Sequence, residues 1–89
     1  MSPRKLHQCP CCDYFTLEER VDYEICPVCF WEDDGTDLGS LDAPSGPNPI
    51  TLREARENFR RLGACEAAML EHVCTPAERA RYRRERRPD

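Results

Sequence analysis

Cysteines are the residues with the clearest chemistry in this chain, which has seven of them among 89 residues. Four of them are the first and last residues of two Cys-Pro-x-Cys turns, Cys9-Pro10-Cys11-Cys12 and Cys26-Pro27-Val28-Cys29, which are separated by thirteen residues. Two residues between cysteines close a tight turn with both sulfurs on one side, and two facing turns supply a tetrahedron. The spacing predicts one structural zinc ion with these ligands: Cys9, Cys12, Cys26 and Cys29.

Two alternatives to zinc are left open by the same four residues. A thiolate tetrahedron also binds iron, because neither ligand softness nor geometry separates the two metals in such a site. An iron centre would make the chain a rubredoxin-like electron carrier. The plainer alternative is four reduced thiols packed in a small core without a metal.

The other three cysteines have less specific patterns. Cys11 lies between two predicted ligands, so we expect its side chain to point away from the metal, although an exchange with a neighbouring ligand is possible. Its acidic surroundings oppose thiolate formation and hence reactivity. Cys65 fits an apolar helix face as a small hydrophobe. A second metal site would need the remaining candidates: Cys11, Cys65, Cys74 and His72.

The composition explains why a metal would be needed. A chain of this length with 34% charged and 39% hydrophobic residues buries a small core, and such domains often need a staple. The polar N-terminus does not match a signal peptide, and no apolar run is as long as a membrane span. We therefore expect a cytoplasmic protein, where thiols stay reduced and clustered cysteines more often bind metal. The odd cysteine count also argues against a disulfide framework.

Charge is distributed unevenly along the chain, whose net charge is −4. Residues 13–42 contain ten acids and one base, Arg20, whereas residues 78–89 contain six arginines and three acids. The tail is expected to be a solvated helix or a disordered, solubilising end. Its alternative role is nucleic-acid binding, because arginines neutralise phosphates. The arginines concerned are Arg79, Arg81, Arg83, Arg84, Arg86 and Arg87.

The elements that must position these residues can be predicted from local patterns. Residues 1–8 are expected to be a mobile lead-in. Residues 14–17 and the alternating run 21–25 predict a β-hairpin inside the spacer, with its ends joined by the two turns. Glycines and prolines predict an irregular loop over residues 35–50.

Helices are predicted in the second half of the chain. Thr51 and Glu54 form a capping box, and Gly63 is a left-handed stop, so a helix is expected over residues 52–62. Its apolar face would contain Leu52, Ala55, Phe59 and Leu62. A second helix is expected over residues 64–73, and Thr75-Pro76 predicts a further helix start.

Acidic residues follow two aromatic residues directly after the second turn. We expect one or both rings of Phe30 and Trp31 to cover the metal site or the hairpin. The segment predicts an interaction surface for a protein partner, made of Phe30, Trp31, Glu32, Asp33 and Asp34. A solvated acidic loop is the plain alternative. A calcium or magnesium site that also uses Asp37 would suit clustered carboxylates, but the spacing does not match an EF-hand loop.

The chain resembles the bacterial cysteine-rich CPCC domain family over roughly residues 7–75. The resemblance rests on Cys9-Pro10-Cys11-Cys12, on the block 23–34 (Tyr-Glu-Ile-Cys-Pro-Val-Cys-Phe-Trp-Glu-Asp-Asp), and on residues 52–59 with Gly63-Ala64. Asp13 departs from the pattern, since a glycine often follows the first turn. The resemblance implies a small cytosolic, zinc-ribbon-like protein, and it implies no established activity or catalytic residue.

Together these patterns predict a small metal-stabilised α+β fold. A zinc-ribbon or rubredoxin-like hairpin would carry the metal, with one helix packed across it and a further C-terminal helix. Residues 1–75 would form the zinc-binding domain and residues 76–89 a basic tail, in a monomer. We expect no catalysis, because four cysteines would leave no open coordination position. The favoured function is a protein-interaction module, with nucleic-acid binding and iron redox chemistry as alternatives.

Overall fold

Short elements joined by long irregular segments make up the chain, whose computed structural model describes residues 5–88. The strands are β1 (His7–Gln8) and β2 (Phe15–Leu17), and the α-helices are α1 (Leu52–Leu62) and α2 (Pro76–Arg79). Single 3-10 turns occur at Leu38–Ser40 and Ala67–Met69. A small α+β arrangement with an antiparallel strand pair and two helices was therefore predicted correctly. Several elements lie at other positions in the chain than predicted.

The strand pair is not the predicted one. β1 pairs with β2 across the first cysteine turn, with His7 opposite Leu17 and Gln8 opposite Phe15. The run 21–25 forms no strand, because Val21 and Tyr23 have left-handed backbones with φ of 59° and 57°. The hairpin predicted inside the spacer is therefore wrong. The mobile lead-in is wrong for residues 7–8, and residues 1–4 lie outside the described part.

Both cysteine turns have the same backbone geometry. The residue after the last cysteine is left-handed in each turn, with φ of 68° at Asp13 and 69° at Phe30. Its amide donates back to the first cysteine of the turn, from Asp13 to Cys9 (3.0 Å) and from Phe30 to Cys26 (2.8 Å). Glycine would be the least strained residue at these positions. Aspartate and phenylalanine occupy them instead, and both side chains make contacts that glycine could not make.

Helix α1 has the bounds that its sequence predicts. Thr51 and Glu54 form the reciprocal capping box. Gly63 ends the helix with φ of 88°, and its amide donates a hydrogen bond to the Phe59 carbonyl. The buried face differs at one end, because Leu62 is 39% exposed while Arg56 is buried. The buried face of α1 includes Arg56 and not Leu62, so the predicted apolar face was wrong at Leu62.

The segment 64–73 forms a single 3-10 turn instead of the predicted helix. Its flanking amides donate to the second cysteine turn, from Cys65 to the Cys29 carbonyl (2.8 Å) and from Cys74 to the Pro27 carbonyl (2.9 Å). These tertiary bonds hold the two ends of the segment against that turn, which outweighs its helical propensity. Helix α2 then begins as predicted, with Thr75 as its N-cap and Pro76 in its first turn.

The tail packs on the cysteine-rich part rather than extending into solvent. The Phe15 amide donates to the Arg83 carbonyl (2.8 Å), and Tyr14 and Arg84 form an antiparallel bridge. The expectation of a solvated helix or a disordered end is therefore wrong for residues 83–87. The domain boundary at residues 75 and 76 stays a prediction, although these contacts cross it.

The core lies between the cysteine turns and α1. Its largest fully buried side chains include Trp31, Leu17, Leu52 and Val28, and the cysteines belong to the same cluster. Trp31 thus packs in the core with the metal-site residues, as one of the two aromatic rings was expected to do. Within residues 5–88, no helix has both the length and the apolar character needed to cross a bilayer.

Gly63 offers a direct test of the helix stop. Gly63→Ala should lower the free energy of unfolding by about 1 kcal/mol, because alanine is strained in the left-handed region. The matched control is Gly46→Ala, whose added Cβ would meet nothing within 4 Å and whose backbone is not left-handed. Urea unfolding of the metal-loaded protein measures both variants. Equal stability of the two would contradict the assigned C-cap.

Candidate metal centre

The structure brings together the four predicted ligands, Cys9, Cys12, Cys26 and Cys29, and all four are buried. Their sulfurs lie within 4.8 Å of one another. Two close pairs, Cys9 with Cys29 and Cys12 with Cys26, each have an Sγ to Sγ distance of 3.7 Å. Metal to sulfur bonds of about 2.3 Å would give a tetrahedron with edges of about 3.8 Å. The four cysteines are therefore positioned to hold one metal ion.

Each close sulfur pair joins one cysteine turn to the other. In both pairs, the first cysteine of one turn is near the last cysteine of the opposite turn. A metal bound to all four sulfurs would consequently fix the two turns relative to one another. Since β1, β2 and the contacts of residues 65 and 74 all attach to these turns, the centre holds the ends of the fold together.

Without a cation, the four thiols cannot all be ionised in this space. Burial raises the pKa of Cys9 and of Cys29 well above the ordinary thiol value. Burial would also raise the pKa of Cys26, but hydrogen bonds from the other three thiols and from Thr16 outweigh it and lower that pKa. A divalent cation replaces the shared protons and compensates the thiolate charges, so metal binding must release protons.

Thr16 contacts the site, although no pattern in the sequence singles it out. Its buried hydroxyl lies 3.0 Å from the Cys26 sulfur. Such a hydrogen bond stabilises the thiolate form and orients a ligand. Thr16 comes from β2, so the strand that pairs with β1 also contributes to the surroundings of the metal site.

Arginines hold the backbone of the first cysteine turn. Three guanidinium groups each donate to a different carbonyl oxygen of this turn. The bonds are Arg56 Nη1 to Pro10 (2.6 Å), Arg84 Nε to Cys12 (3.0 Å) and Arg87 Nη2 to Cys9 (3.4 Å). The second turn has no equivalent among these contacts and is held by the backbone amides of residues 65 and 74.

Asp13 organises two of these arginines. Its carboxylate accepts a two-pronged bond from Arg56 (2.8 and 3.0 Å) and two further bonds from the amide and Nε of Arg87 (both 3.0 Å). Asp13 and Arg56 are both almost fully buried. Burial would raise the pKa of Asp13, but the bonds from Arg56 and Arg87 outweigh it and lower the pKa below its ordinary value. Aspartate tolerates the left-handed backbone there better than most residues.

With a divalent metal bound, the charges around the first turn would cancel. Four thiolates with a divalent metal have a net charge of about −2, and the Asp13 carboxylate adds one more negative charge. The three guanidinium groups of Arg56, Arg84 and Arg87 supply the same amount of positive charge. The tail arginines therefore have a structural role that the charge pattern alone did not reveal.

The remaining cysteines are not part of the four-sulfur group. Cys11 and Cys65 are buried, and burial raises the pKa of Cys65 to about 12, which keeps it a neutral thiol. Burial and the nearby Glu78 charge raise the pKa of half-buried Cys74. His72 is instead stacked on Phe30, with ring centroids 5.1 Å apart. The described residues thus bring no second cysteine and histidine site together.

The predicted interaction surface needs a correction. Trp31 and Asp33 are fully buried, so neither can contact a partner. The Asp33 carboxylate accepts bonds from the Arg20 guanidinium (2.9 and 3.3 Å) and from the Val21 amide (2.8 Å). It is an internal organiser of the loop and not an open cation ligand. The pattern could not show this, since Arg20 is the single base among many acids.

Comparison with known proteins agrees with the cysteine pattern. A family model described as Cysteine-rich CPCC matches residues 7–80 of this chain. No curated protein and no solved structure is a significant match to it.

Substitution of individual cysteines tests the ligand set. Cys26→Ser should lose the metal and unfold most of the domain, because binding energy on the order of 10 kcal/mol becomes folding energy in structural zinc sites. Cys11→Ala is the matched control and should keep one metal per chain. Native mass spectrometry with elemental analysis measures both. Loss of the metal from the Cys11 variant would contradict the ligand set, and two metals per chain would show a second site.

Asp13→Asn tests the buried arginine contacts. Asparagine keeps the left-handed backbone but removes the charge, which leaves the buried Arg56 guanidinium uncompensated. The free energy of unfolding should fall by about 3 kcal/mol in urea. Asp42→Asn removes an equally short but exposed bond to Arg53 (2.7 Å) and should leave stability within error. Similar losses in the two variants would count against the role of Asp13.

Proposed function

The chain belongs to the cysteine-rich CPCC family, and from that membership and its four-cysteine centre we propose that it is a small, zinc-binding, non-catalytic protein-interaction module. Four buried thiolates would fill the coordination of a tetrahedral ion and leave no position for a substrate. The zinc would act by stabilising the fold, in a reducing compartment such as the cytoplasm where the thiols persist. Iron is the alternative ion, with the same ligands.

An exposed apolar surface carries the interaction part of this proposal. Val21, Tyr23 and Ile25, here called the apolar ridge, are 59%, 60% and 46% exposed. Two of the three also have left-handed backbones, which is rare for a bulky tyrosine and especially for a β-branched valine. Both the strain and the exposure oppose folding, and such costs commonly mark residues that act on something outside the chain.

Buried and half-buried carboxylates hold the ridge in place. The Glu24 carboxylate accepts bonds from the amides of Glu18 (3.1 Å) and Glu19 (2.7 Å), and Asp33 accepts the Val21 amide. The backbones of residues 23 and 33 and of residues 24 and 33 are also hydrogen bonded. The ridge is therefore ordered before a partner arrives, which reduces the entropy cost of binding.

Charge indicates what kind of partner would fit. The ridge lies among acids that are exposed or half-buried: Glu18, Glu19, Asp22, Glu24 and Glu32. The nearby base, Arg20, is engaged with Asp33 and Asp37. A cavity of about 90 Å³ adjoins the ridge at Ile25 and is also lined by Phe30, Ile50 and Met69. We infer a protein segment with an aliphatic side chain for this cavity and flanking lysines or arginines.

Selection of random peptides on the immobilised zinc-loaded protein tests this proposal. Wild type should enrich peptides with an apolar residue between basic residues. Val21→Asn with Tyr23→Asn should weaken the selected peptides at least tenfold by calorimetry. The same variant should unfold at higher urea, because asparagine relieves left-handed strain of about 1 kcal/mol per residue.

Leu70→Ser is the matched control, since Leu70 is 44% exposed and lies outside the ridge. It should leave peptide affinity unchanged. Absence of enrichment, or peptides that bind the ridge variant as well as wild type, would show that the ridge is not a docking surface. The zinc part stands separately, because it depends on metal content and on the loss of structure with a chelator.

A further inference from the structure

Two arginine-lined clefts flank the tail where it pairs with the start of β2. The first has a volume of about 400 Å³ and is lined by Tyr14, Phe59, Arg60, Arg79, Arg84 and Arg86. The second has a volume of about 280 Å³, and its lining includes Phe15, Tyr82, Arg81 and Arg83. None of the described residues that line either cleft is an acid.

The pairing of the tail explains why the clefts lie on two sides of the same segment. Tyr14 and Arg84 form an antiparallel bridge, and the Phe15 amide donates to Arg83. Neighbouring residues of an extended chain point to opposite faces. The pair Tyr14 and Arg84 therefore borders the first cleft, whereas Phe15 and Arg83 border the second.

Aromatic rings position two of the guanidinium groups. The Arg84 Cζ lies 5.7 Å from the Tyr14 ring centroid, and the Arg83 Cζ lies 4.0 Å above that of Phe15. Stacking of this kind orients an arginine without using its N–H groups. The Nε of Arg84 also donates to the Cys12 carbonyl, which fixes this side chain further. Tyr14 is itself fixed edge-on against Phe59, with centroids 6.2 Å apart. The clefts thus combine ordered cations with aromatic surface.

The two carboxylates in the described part of the tail make contacts outside the first cleft. Glu78 closes the capping box of α2 on Thr75, and Glu85 lies 4.0 Å from Arg83, on the side of the second cleft. Arg87, in contrast, is engaged by Asp13 and is removed from the set of binding arginines suggested by the charge pattern. Arg79 and Arg86 remain as cleft cations that hold no part of the cysteine turn.

We propose that the two clefts bind the phosphate backbone of a single-stranded nucleic acid. Positive charge spread over two clefts suits a chain of phosphates better than one anion. Aromatic rings beside the cations suit exposed bases, which stack on such rings in single strands and are hidden in a duplex. Neither cleft is lined by a residue of the apolar ridge or by one of its neighbouring acids, so this site is separate from the proposed protein-docking surface.

Fluorescence anisotropy with a labelled 12-nucleotide oligothymidylate tests the proposal on the full, zinc-loaded chain. With four of the six cleft arginines each contacting one phosphate, affinity should fall about 50-fold between 50 and 200 mM NaCl, from a slope of about 0.7 per neutralised phosphate in single strands. Arg79→Gln with Arg86→Gln should reduce this to about sevenfold and weaken binding at low salt. Arg61→Gln removes a charge on the same helix as Arg60, outside the cleft lining, and should change neither quantity.

Several results would overturn the proposal. No binding at 50 mM NaCl would do so, as would a salt dependence that is the same in wild type and in the Arg79 and Arg86 variant. Complete displacement by inorganic phosphate at the same phosphate concentration would show an adventitious single-anion site. Equal affinity for a 12-base-pair duplex would contradict the stacking on exposed bases. The melting point and zinc content of each variant confirm that it is folded.

Discussion

Four cysteine sulfurs confined within 4.8 Å of one another repel when they ionise, and the rest of the structure depends on how that repulsion is relieved. A divalent metal relieves it directly by coordinating all four thiolates. Without a metal, ionisation of single thiols is unfavourable, because burial raises the pKa of Cys9 and of Cys29. The site is therefore stable either with protons shared among the thiols or with a cation. In the second case both turns, and everything attached to them, are joined.

The two turns share a backbone but are supported in different ways. Around the second turn, neutral backbone amides of the segment after α1 donate to its carbonyls. Around the first, charged guanidinium groups from α1 and the tail do so, with Asp13 between two of them. A charged support is costly to bury unless it is fully paired. Asp13 supplies this pairing from the left-handed position after Cys12. Glycine would be less strained there but has no carboxylate to pair with the arginines.

Local signals predicted the parts of this fold that local energies decide. The capping residues and Gly63 set the bounds of α1, and the spacing of the cysteines indicated the four-sulfur group. Long-range contacts decided the rest: Asp13 reaches Arg56 across 43 positions and Arg87 across 74. The alternation of Val21, Tyr23 and Ile25 indicated a strand. The left-handed backbones of Val21 and Tyr23 prevent one, and all three side chains are exposed. Burial of Trp31 and Asp33 was likewise hidden, because aromatic and acidic neighbours look the same whether a loop is exposed or packed.

The left-handed residues show why the metal and the surface belong to one argument. Among residues 5–88, the non-glycine residues with positive φ are Asp13, Val21, Tyr23 and Phe30. Strain of about 1 kcal/mol at each is small beside metal-binding energy on the order of 10 kcal/mol. Asp13 and Phe30 belong to the turns that the metal holds, so their strain is compensated where it arises. Val21 and Tyr23 lie outside these turns, where bonds from their amides to Asp33 hold the backbone and their side chains face solvent. A metal bound at the four cysteines would let the fold tolerate that local cost, which is concentrated in two of the three residues of the apolar ridge.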